Sequence, residues 1–319
     1  MRVLITGVAG FAGPYLAEHL HSAEPEAEIW GLVWAGDQKR PPEFVRPVVG
    51  DLTDRSSLIL AISNSRPDVV FHLAAASSVA SSWDDPDLFQ EVNLAGAINL
   101  FEAVRESGLD PKIVLASSAE VYGSVPEADQ PISEDTPLRP LSPYGESKMA
   151  QDAAAVDYLQ DFALRTIRLR LFHHTGPGRP PIFVASSFAR QIARIEQGLD
   201  PPILSVGNLE AVRDFTDVRD VARAYRLVAK QGRAGDVYNV CSGRGHSIRQ
   251  LLDMLLEMTP LEMEVEVDPD RLRVADIPHL VGDNGRLSRA TGWKPEIPLR
   301  QTLSDLLDWW RADQRKDAG

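Results

Sequence analysis

Arg2-Val3-Leu4-Ile5-Thr6-Gly7-Val8-Ala9-Gly10-Phe11-Ala12-Gly13 opens the chain. Residues 2–6 form an apolar, β-branched run, and residues 11–20 carry the spacing of an amphipathic helix. Three glycines, three residues apart, therefore occupy the turn between a strand and a helix. Glycine lets the backbone turn sharply and lets a pyrophosphate come close. The helix that follows offers unpaired N–H groups and the positive end of its dipole to the phosphates. Gly7, Gly10, Phe11 and Gly13 are read on this basis as dinucleotide-binding residues. The plainer alternative is a left-handed turn with helix-packing glycines. Its place directly behind the first strand argues for the dinucleotide.

Outward from this turn, strands and helices alternate. Residues 28–34, 46–49, 68–73, 112–117 and 164–172 read as strands, and 58–63, 87–107 and 144–162 as helices. The strands are continuous apolar runs, as expected of strands covered on both faces. The alternation predicts an α/β fold with a doubly wound, mostly parallel sheet. After residue 172 the texture changes. Residues 174–181 are rich in Gly and Pro and read as loop. Helices follow at 186–197 and 218–230 with a polar segment between them, then a strand at 236–240 and helices at 247–258 and 301–311. In the last helix Leu303, Leu306, Leu307 and Trp310 share one face. The expected division is a dinucleotide-binding part, 1–172 plus 213–242, and a smaller C-terminal α/β substrate-binding part, 173–212 plus 243–319.

The chain has 319 residues, with 33 Lys plus Arg against 46 Asp plus Glu, a formal charge of −13. Nucleic acid and anionic membranes attract basic surfaces, so neither is an expected partner. A small anionic ligand stays open wherever a few arginines gather locally. One cysteine, Cys241, makes no internal disulfide and no thiolate zinc site. No apolar stretch reaches the ~18 residues that span a bilayer, and the apolar start runs into the glycine turn rather than a cleavage site. Cytoplasm is the expected compartment.

An acid at the end of the second strand would bind the adenosine ribose of NAD. Here that strand ends Val33-Trp34-Ala35-Gly36, and Asp37, Lys39 and Arg40 come slightly late. The missing acid removes the usual bar to a 2′-phosphate, which Lys39 or Arg40 can reach. The expected cofactor is NADP(H), with NAD(H) as the alternative. Asp51 and Leu52 follow the third strand, where they would reach the adenine edge; Asp51 reads equally well as a helix N-cap. Tyr144 and Lys148 sit four apart on one helix face. An ammonium beside a phenol stabilises the phenolate, so Tyr144 is a candidate proton donor or acceptor. Ser118 ends the fifth strand, where carboxyl ends face the ligand crevice. Glu120 reads as a general base or as a solvated loop carboxylate.

These elements, taken together, resemble the extended short-chain dehydrogenase/reductase family in its nucleotide-sugar branch. His72-Leu73-Ala74-Ala75, the helix with Asn93, Arg170-Leu171-Phe172, Gly176-Pro177-Gly178 and Arg213-Asp214-Phe215-Thr216-Asp217-Val218 fit it too. So do Tyr238-Asn239-Val240 and Gly292-Trp293-Lys294-Pro295. The resemblance covers nearly the whole chain. Gly207-Asn208-Leu209-Glu210-Ala211-Val212-Arg213 and Arg271-Leu272-Arg273 look like the nucleotide-binding segments of its GDP-mannose-related members.

The resemblance implies a Rossmann fold with Leu73, Ala74 and Ala75 along the cofactor. It implies a triad of Ser118, Tyr144 and Lys148, with Lys148 also holding the nicotinamide ribose. The implied reaction is reduction of the C4 ketone of GDP-4-keto-6-deoxy-D-mannose to GDP-D-rhamnose, with Ser118 polarising the carbonyl and Tyr144 giving the proton. Arg213 and Arg273 would clamp the diphosphate and nucleotide of the GDP-linked deoxyhexose substrate. His173 stands where the family has a substrate-contacting Asn. His173 and His174 are adjacent and lack a spaced third ligand, so no metal is expected.

The runner-up within the branch is GDP-mannose 4,6-dehydration, with Glu120 as the base. Ala119 stands where some nucleotide-sugar dehydratases carry an acid, although the GDP-mannose dehydratases lack it too. The 207–220 segment and the short chain favour the reductase. An epimerase, and a non-catalytic dinucleotide sensor, carry less weight; a sensor would be expected to lose Tyr144 or Lys148. The family also implies a homodimer through the helices beginning near Asn93 and Tyr144.

Overall fold

The structure is a computed structural model and describes residues 1–36, 40–272 and 277–317, the last four of them as backbone only. Along the chain the elements are β1 (Arg2–Thr6), α1 (Ala12–Ala23), β2 (Glu28–Val33), β3 (Arg46–Val49), α2 (Arg55–Ser65), β4 (Val69–His72), α3 (Pro86–Phe89), α4 (Gly96–Ser107) and β5 (Lys112–Ser118). They continue with α5 (Pro143–Phe162), β6 (Thr166–Leu171), β7 (His173–Thr175), α6 (Val184–Glu196), β8 (Ile203–Val206), β9 (Val212–Asp217), α7 (Val218–Gln231) and β10 (Val237–Val240). Last come β11 (Gly245–Ser247), α8 (Ile248–Leu256), β12 (Glu264–Val267), β13 (His279–Leu280), α9 (Gly285–Thr291) and α10 (Leu299–Asp317).

Seven strands form one sheet in the order β10-β6-β5-β4-β1-β2-β3, and every pairing in it is parallel. Its apolar strands are covered on both faces. One face packs against α1 and α7, with Leu16, Val221 and Tyr225 in the core. The other packs against α2, α4 and α5, with Ile62, Phe101 and Ala155. The doubly wound sheet read from the sequence is present. Chain order reverses between β1 and β4, and in such sheets the crevice beyond the carboxyl ends at that point receives the ligand.

A second core lies under α6, α8 and α10. Leu303, Leu306 and Leu307 are fully buried there, so the apolar face of the last helix is the one that packs. A small sheet of β11, β9 and β13, with β7 also on β9, borders this core. β9 thus pairs with the small sheet, although all of it but Val212 lies within the 213–242 segment. Conversely Leu287 and Trp293, from within 243–319, pack into the core under α7. The Trp293 indole N–H donates to the Asp220 carbonyl at 2.9 Å.

Three local expectations are corrected. His174 and Thr175, read as the start of a loop, belong with His173 to strand β7, which runs parallel to β9 in register from His173–Phe215 to Thr175–Asp217. The polar segment before α7 holds β8 and β9, each stabilised by pairing with a distant strand. The 87–107 helix is interrupted by a π-helical stretch, Gln90–Ala95, between α3 and α4. That stretch turns the fully buried Asn93 amide toward the loop after β4. There it accepts from Ala76 N at 2.9 Å and donates to Ala76 O at 3.0 Å and Ser147 Oγ at 2.9 Å. Among the described residues no helix is long and apolar enough to cross a membrane.

Candidate active site

The glycine turn is built as its chemistry requires. Gly7 has φ +71, and a Cβ there would lie 2.8 Å from the Ala74 nitrogen. A Cβ on Gly13 would lie 2.3 Å from the Gly7 carbonyl. The turn is closed by Gly10 N donating to Gly7 O at 3.0 Å. No side chain caps the N-terminus of α1, so the first N–H groups of that helix stay available to an anion. Opposite the turn, Thr6 Oγ1 lies 2.8 Å from His72 Nδ1 and accepts from Ala74 N at 3.1 Å. These bonds tie the ends of β1 and β4 and fix Leu73-Ala74-Ala75. Burial, with the charge of Lys148 adding to it, pushes the His72 imidazole down to about 3, so it is neutral.

One cleft, about 690 Å³ in volume, runs from this turn to the second core. It is lined by Gly7, Gly10, Phe11, Gly13, Leu73, Ala74, Ala75, Ser118, Glu120, Tyr144, Lys148, His173 and Arg213. Residues widely separated in sequence are thus brought together. Asp51 and Leu52 do not line it. Leu52 is buried against Gly96, and its carbonyl accepts from Asn99 Nδ2 at 2.8 Å. Asp51 accepts from Thr53 N and Oγ1, both at 2.8 Å, and these bonds hold its carboxyl below the usual range. The N-cap reading of Asp51 is corrected: Asp54 caps α2, accepting from Ser56 N at 3.0 Å. Lys39 and Arg273 lie outside the described residues.

α5 starts cleanly because Ser142 caps it, accepting from Gly145 N at 3.1 Å, and Pro143 occupies the first turn. Tyr144 and Lys148 therefore project from its first two turns into the cleft. The Tyr144 ring packs edge-on to Phe89 at 6.2 Å. Its hydroxyl shares the cleft with the Ser118 side chain, which favours the phenolate. Burial pushes the phenol up to about 12; the Glu120 charge adds to this, while the Ser118 side chain and the Arg179 charge oppose it. The expectation that Lys148 draws the phenol down is corrected. The ammonium instead donates to Ala116 O at 2.8 Å and Gln151 Oε1 at 3.0 Å. Burial pushes it down to about 8, with Asp152 opposing. The reading of Glu120 as a solvated loop carboxylate is corrected as well. It is 9% exposed, held in the tight turn Ala119–Tyr122 behind β5.

Arg213 is 4% exposed, so it is no surface ion-pair residue. Its Nη1 donates to Val212 O at 2.9 Å and Ile277 O at 2.5 Å, which aims the guanidinium from β9 into the cleft lining. His173 packs edge-on to Phe215 with centroids 5.7 Å apart.

Arg179 and His174 line the cleft as well, although the sequence reading assigned neither a role there. The Arg179 guanidinium lies 3.5 Å over the Phe183 ring and 4.7 Å over Phe11. It thereby bridges the glycine turn and the entry to α6, and burial pushes it down to about 10. His174 stacks on Phe11 at 6.0 Å, and its Nδ1 lies 3.2 Å from the Phe172 carbonyl. Burial, reinforced by Arg179, lowers it to about 3. The one available signal was an arginine in a Gly-Pro loop just beyond a strand's carboxyl end. Among the described residues no group of His, Cys, Asp and Glu side chains could hold a metal ion.

Residues 4–306 match the family model described as GDP-mannose 4,6 dehydratase. The GDP-6-deoxy-D-mannose reductase of Pseudomonas aeruginosa is 36% identical over 316 residues, covering 99% of each chain. GDP-mannose 4,6 dehydratase 2 of Arabidopsis thaliana is 34% identical, over 96% of this chain and 85% of the relative. Among solved structures, RMD from Pseudomonas aeruginosa complexed with NADPH superposes with a TM-score of 0.83 at 35% identity, covering 98% of this chain and 100% of the other. The UDP-glucose 4-epimerase of Thermus thermophilus in complex with NAD does so with a TM-score of 0.87 at 34% identity, covering 98% and 99%. The chain therefore belongs to the GDP-mannose 4,6 dehydratase family, a nucleotide-sugar branch of the extended short-chain dehydrogenases/reductases.

Proposed function

We propose that this protein reduces the C4 ketone of GDP-4-keto-6-deoxy-D-mannose to GDP-D-rhamnose. Bound NADPH, or NADH less readily, supplies the hydride. One observation carries the reading. The Tyr144 phenol lines the cleft with Ser118, and burial raises it to about 12, so it is protonated. A protonated phenol suits a reaction that ends by giving a proton to a new alkoxide. Dehydration must begin by removing one from the C4 hydroxyl.

In this reading the uncapped start of α1, with Gly7, Gly10, Phe11 and Gly13, receives the pyrophosphate of the dinucleotide. Leu73, Ala74 and Ala75 line its path, and Lys148 holds the nicotinamide ribose. Ser118 donates to the carbonyl oxygen and polarises it, and Tyr144 protonates that same oxygen. Arg213 and Arg273 pair with the diphosphate, and His173 meets the sugar. Asp51 and Leu52 are assigned to the adenosine end. Residues 1–172 with 213–242 serve the dinucleotide and 173–212 with 243–319 the GDP-sugar, with Arg213 at their junction. We further infer a homodimer through the helices that begin near Asn93 and Tyr144. A buried free thiol, Cys241, fits a cytoplasmic setting.

Cofactor preference follows from Val33-Trp34-Ala35-Gly36, which offers no carboxylate against a 2′-phosphate. The reductase relative matches end to end, whereas the Arabidopsis dehydratase extends beyond the match. Dehydration stays as the second reading because Glu120 is buried in the cleft beside Tyr144. Purified protein given GDP-mannose alone separates the two. The proposal expects no ketosugar, and ketosugar formed without added cofactor would replace reduction by dehydration.

A further inference from the structure

Lys148 has three N–H donors, and the fold fixes acceptors for two of them. One is the Ala116 carbonyl on β5 at 2.8 Å; the other is Gln151 Oε1 at 3.0 Å, three residues on along α5. The donors of an ammonium are tetrahedral, so two fixed bonds set the direction of the third. Lys148 also lines the cleft.

Gln151 is fully buried, and its Nε2 has no hydrogen-bond partner. A buried amide with an orphan donor costs stability that a leucine at the same place would not. Rotating the amide would not remove that cost, because its NH₂ would then face the ammonium. Among the described residues the hydrogen bond of that side chain goes to Lys148 alone.

We propose that Gln151 is a positioning residue, which holds the Lys148 ammonium charged with its remaining N–H directed into the cleft. This rests on the assignment of Lys148 to the reaction centre. The charged and titratable groups around Lys148 define what Gln151 adds. Asp152, also on α5, favours the ammonium, but its Oδ2 accepts from Arg170 Nε on β6 at 2.9 Å. His72, at the end of β4, is neutral, and Tyr144, one turn earlier on α5, is protonated. Burial opposes the charge and brings Lys148 to about 8. An acceptor for the charged form opposes that loss, and its removal is expected to lower the ammonium's midpoint by about one unit.

The test compares Gln151→Leu, which fills similar space without an acceptor, with Gln151→Glu, which restores one. The readouts are the pH profile of kcat with GDP-4-keto-6-deoxy-D-mannose and NADPH, and the NMR titration of ¹³Cε-labelled lysine. The Lys148 signal is assigned by its loss in Lys148→Arg. In Gln151→Leu the alkaline limb of kcat and the Lys148 midpoint should both fall by about one unit. KM for the GDP-sugar should stay within about twofold. In Gln151→Glu both should return to or pass the parent values. A limb and a midpoint unmoved in both variants would overturn the proposal, and lost thermal stability with no shift would mark Gln151 as structural only. Should Gln151→Leu not fold, Gln151→Glu decides: an upward shift supports the proposal and no shift overturns it. A parent protein without turnover on the ketosugar would contradict the proposed reaction, and the NMR titration would then decide Gln151 by itself.

Discussion

Tyr144 and Lys148 share a helix face but are tuned by different neighbours. The phenol answers to burial, Glu120 and Ser118; the ammonium answers to burial and Asp152. Tyr144→Phe removes the proton and little else. Turnover should fall about 10²- to 10⁴-fold, while the KM for the GDP-sugar hardly moves; equal turnover would remove Tyr144 as the donor. The pH profile follows from the lysine. Its folded value of about 8 lies below the ordinary 10.5. Its charge is therefore lost as pH rises through about 8, and kcat should decline there well before a free lysine would titrate. His72 and His174, both held near 3, contribute no limb between pH 5 and 7. Arg213→Ala removes a buried guanidinium. A charge-assisted bond of about 1.5–3 kcal/mol corresponds to a rise of about 10- to 100-fold in the GDP-sugar KM. An unchanged KM would place Arg213 outside the site.

At the scale of elements, the β1–α1 turn is the least forgiving piece of the molecule. Gly13→Ala sets a methyl group against the backbone of Gly7 and Val8. It should cost about 1–3 kcal/mol as overpacking and weaken dinucleotide binding, read by thermal unfolding with and without NADPH. An unchanged melting temperature and cofactor affinity would contradict that geometry. This turn was legible because glycine spacing, a β-branched strand and a helical period all point the same way. The inner strands of the large sheet were legible because burial on both faces makes them largely apolar, while edge strand β3 buries only Val48 and was legible from its β-branched pair Val48-Val49. β7 and β9 were not, since short strands are decided by a partner far along the chain: His173 finds Phe215, and Arg213 finds His246. Spacing gave the Tyr144–Lys148 pair but not its electrostatics. Those depend on Ala116 and Ser118, which reach the site from β5, and on Gln151, one turn further along the same face of α5. Arg179 was invisible for a related reason: its role is defined by two rings, Phe11 and Phe183, that only the folded chain stacks around it.

On the scale of the whole molecule, two cores of separate composition flank one cleft. One binds the large sheet to α1 and α7; the other gathers α6, α8 and α10. Leu307 is fully buried in the second core, and Leu307→Ala should cost about 2–5 kcal/mol without touching the glycine turn. Calorimetry with and without NADPH would check this: stability should fall while dinucleotide affinity holds. The cleft lies where both halves contribute groups, the phosphate-binding turn from one and Arg213 with its neighbours from the other. That arrangement suits a protein that must bring a dinucleotide and a nucleotide-sugar to one carbon atom. The most direct test labels that carbon. The protein is incubated with GDP-4-keto-6-deoxy-D-mannose and NADPH carrying deuterium at both nicotinamide C4 positions, and the sugar product is read by NMR. The account predicts one deuterium per NADPH oxidised, on C4 of GDP-D-rhamnose. Deuterium at C6, or oxidation of NADPH without label in the sugar, would contradict it.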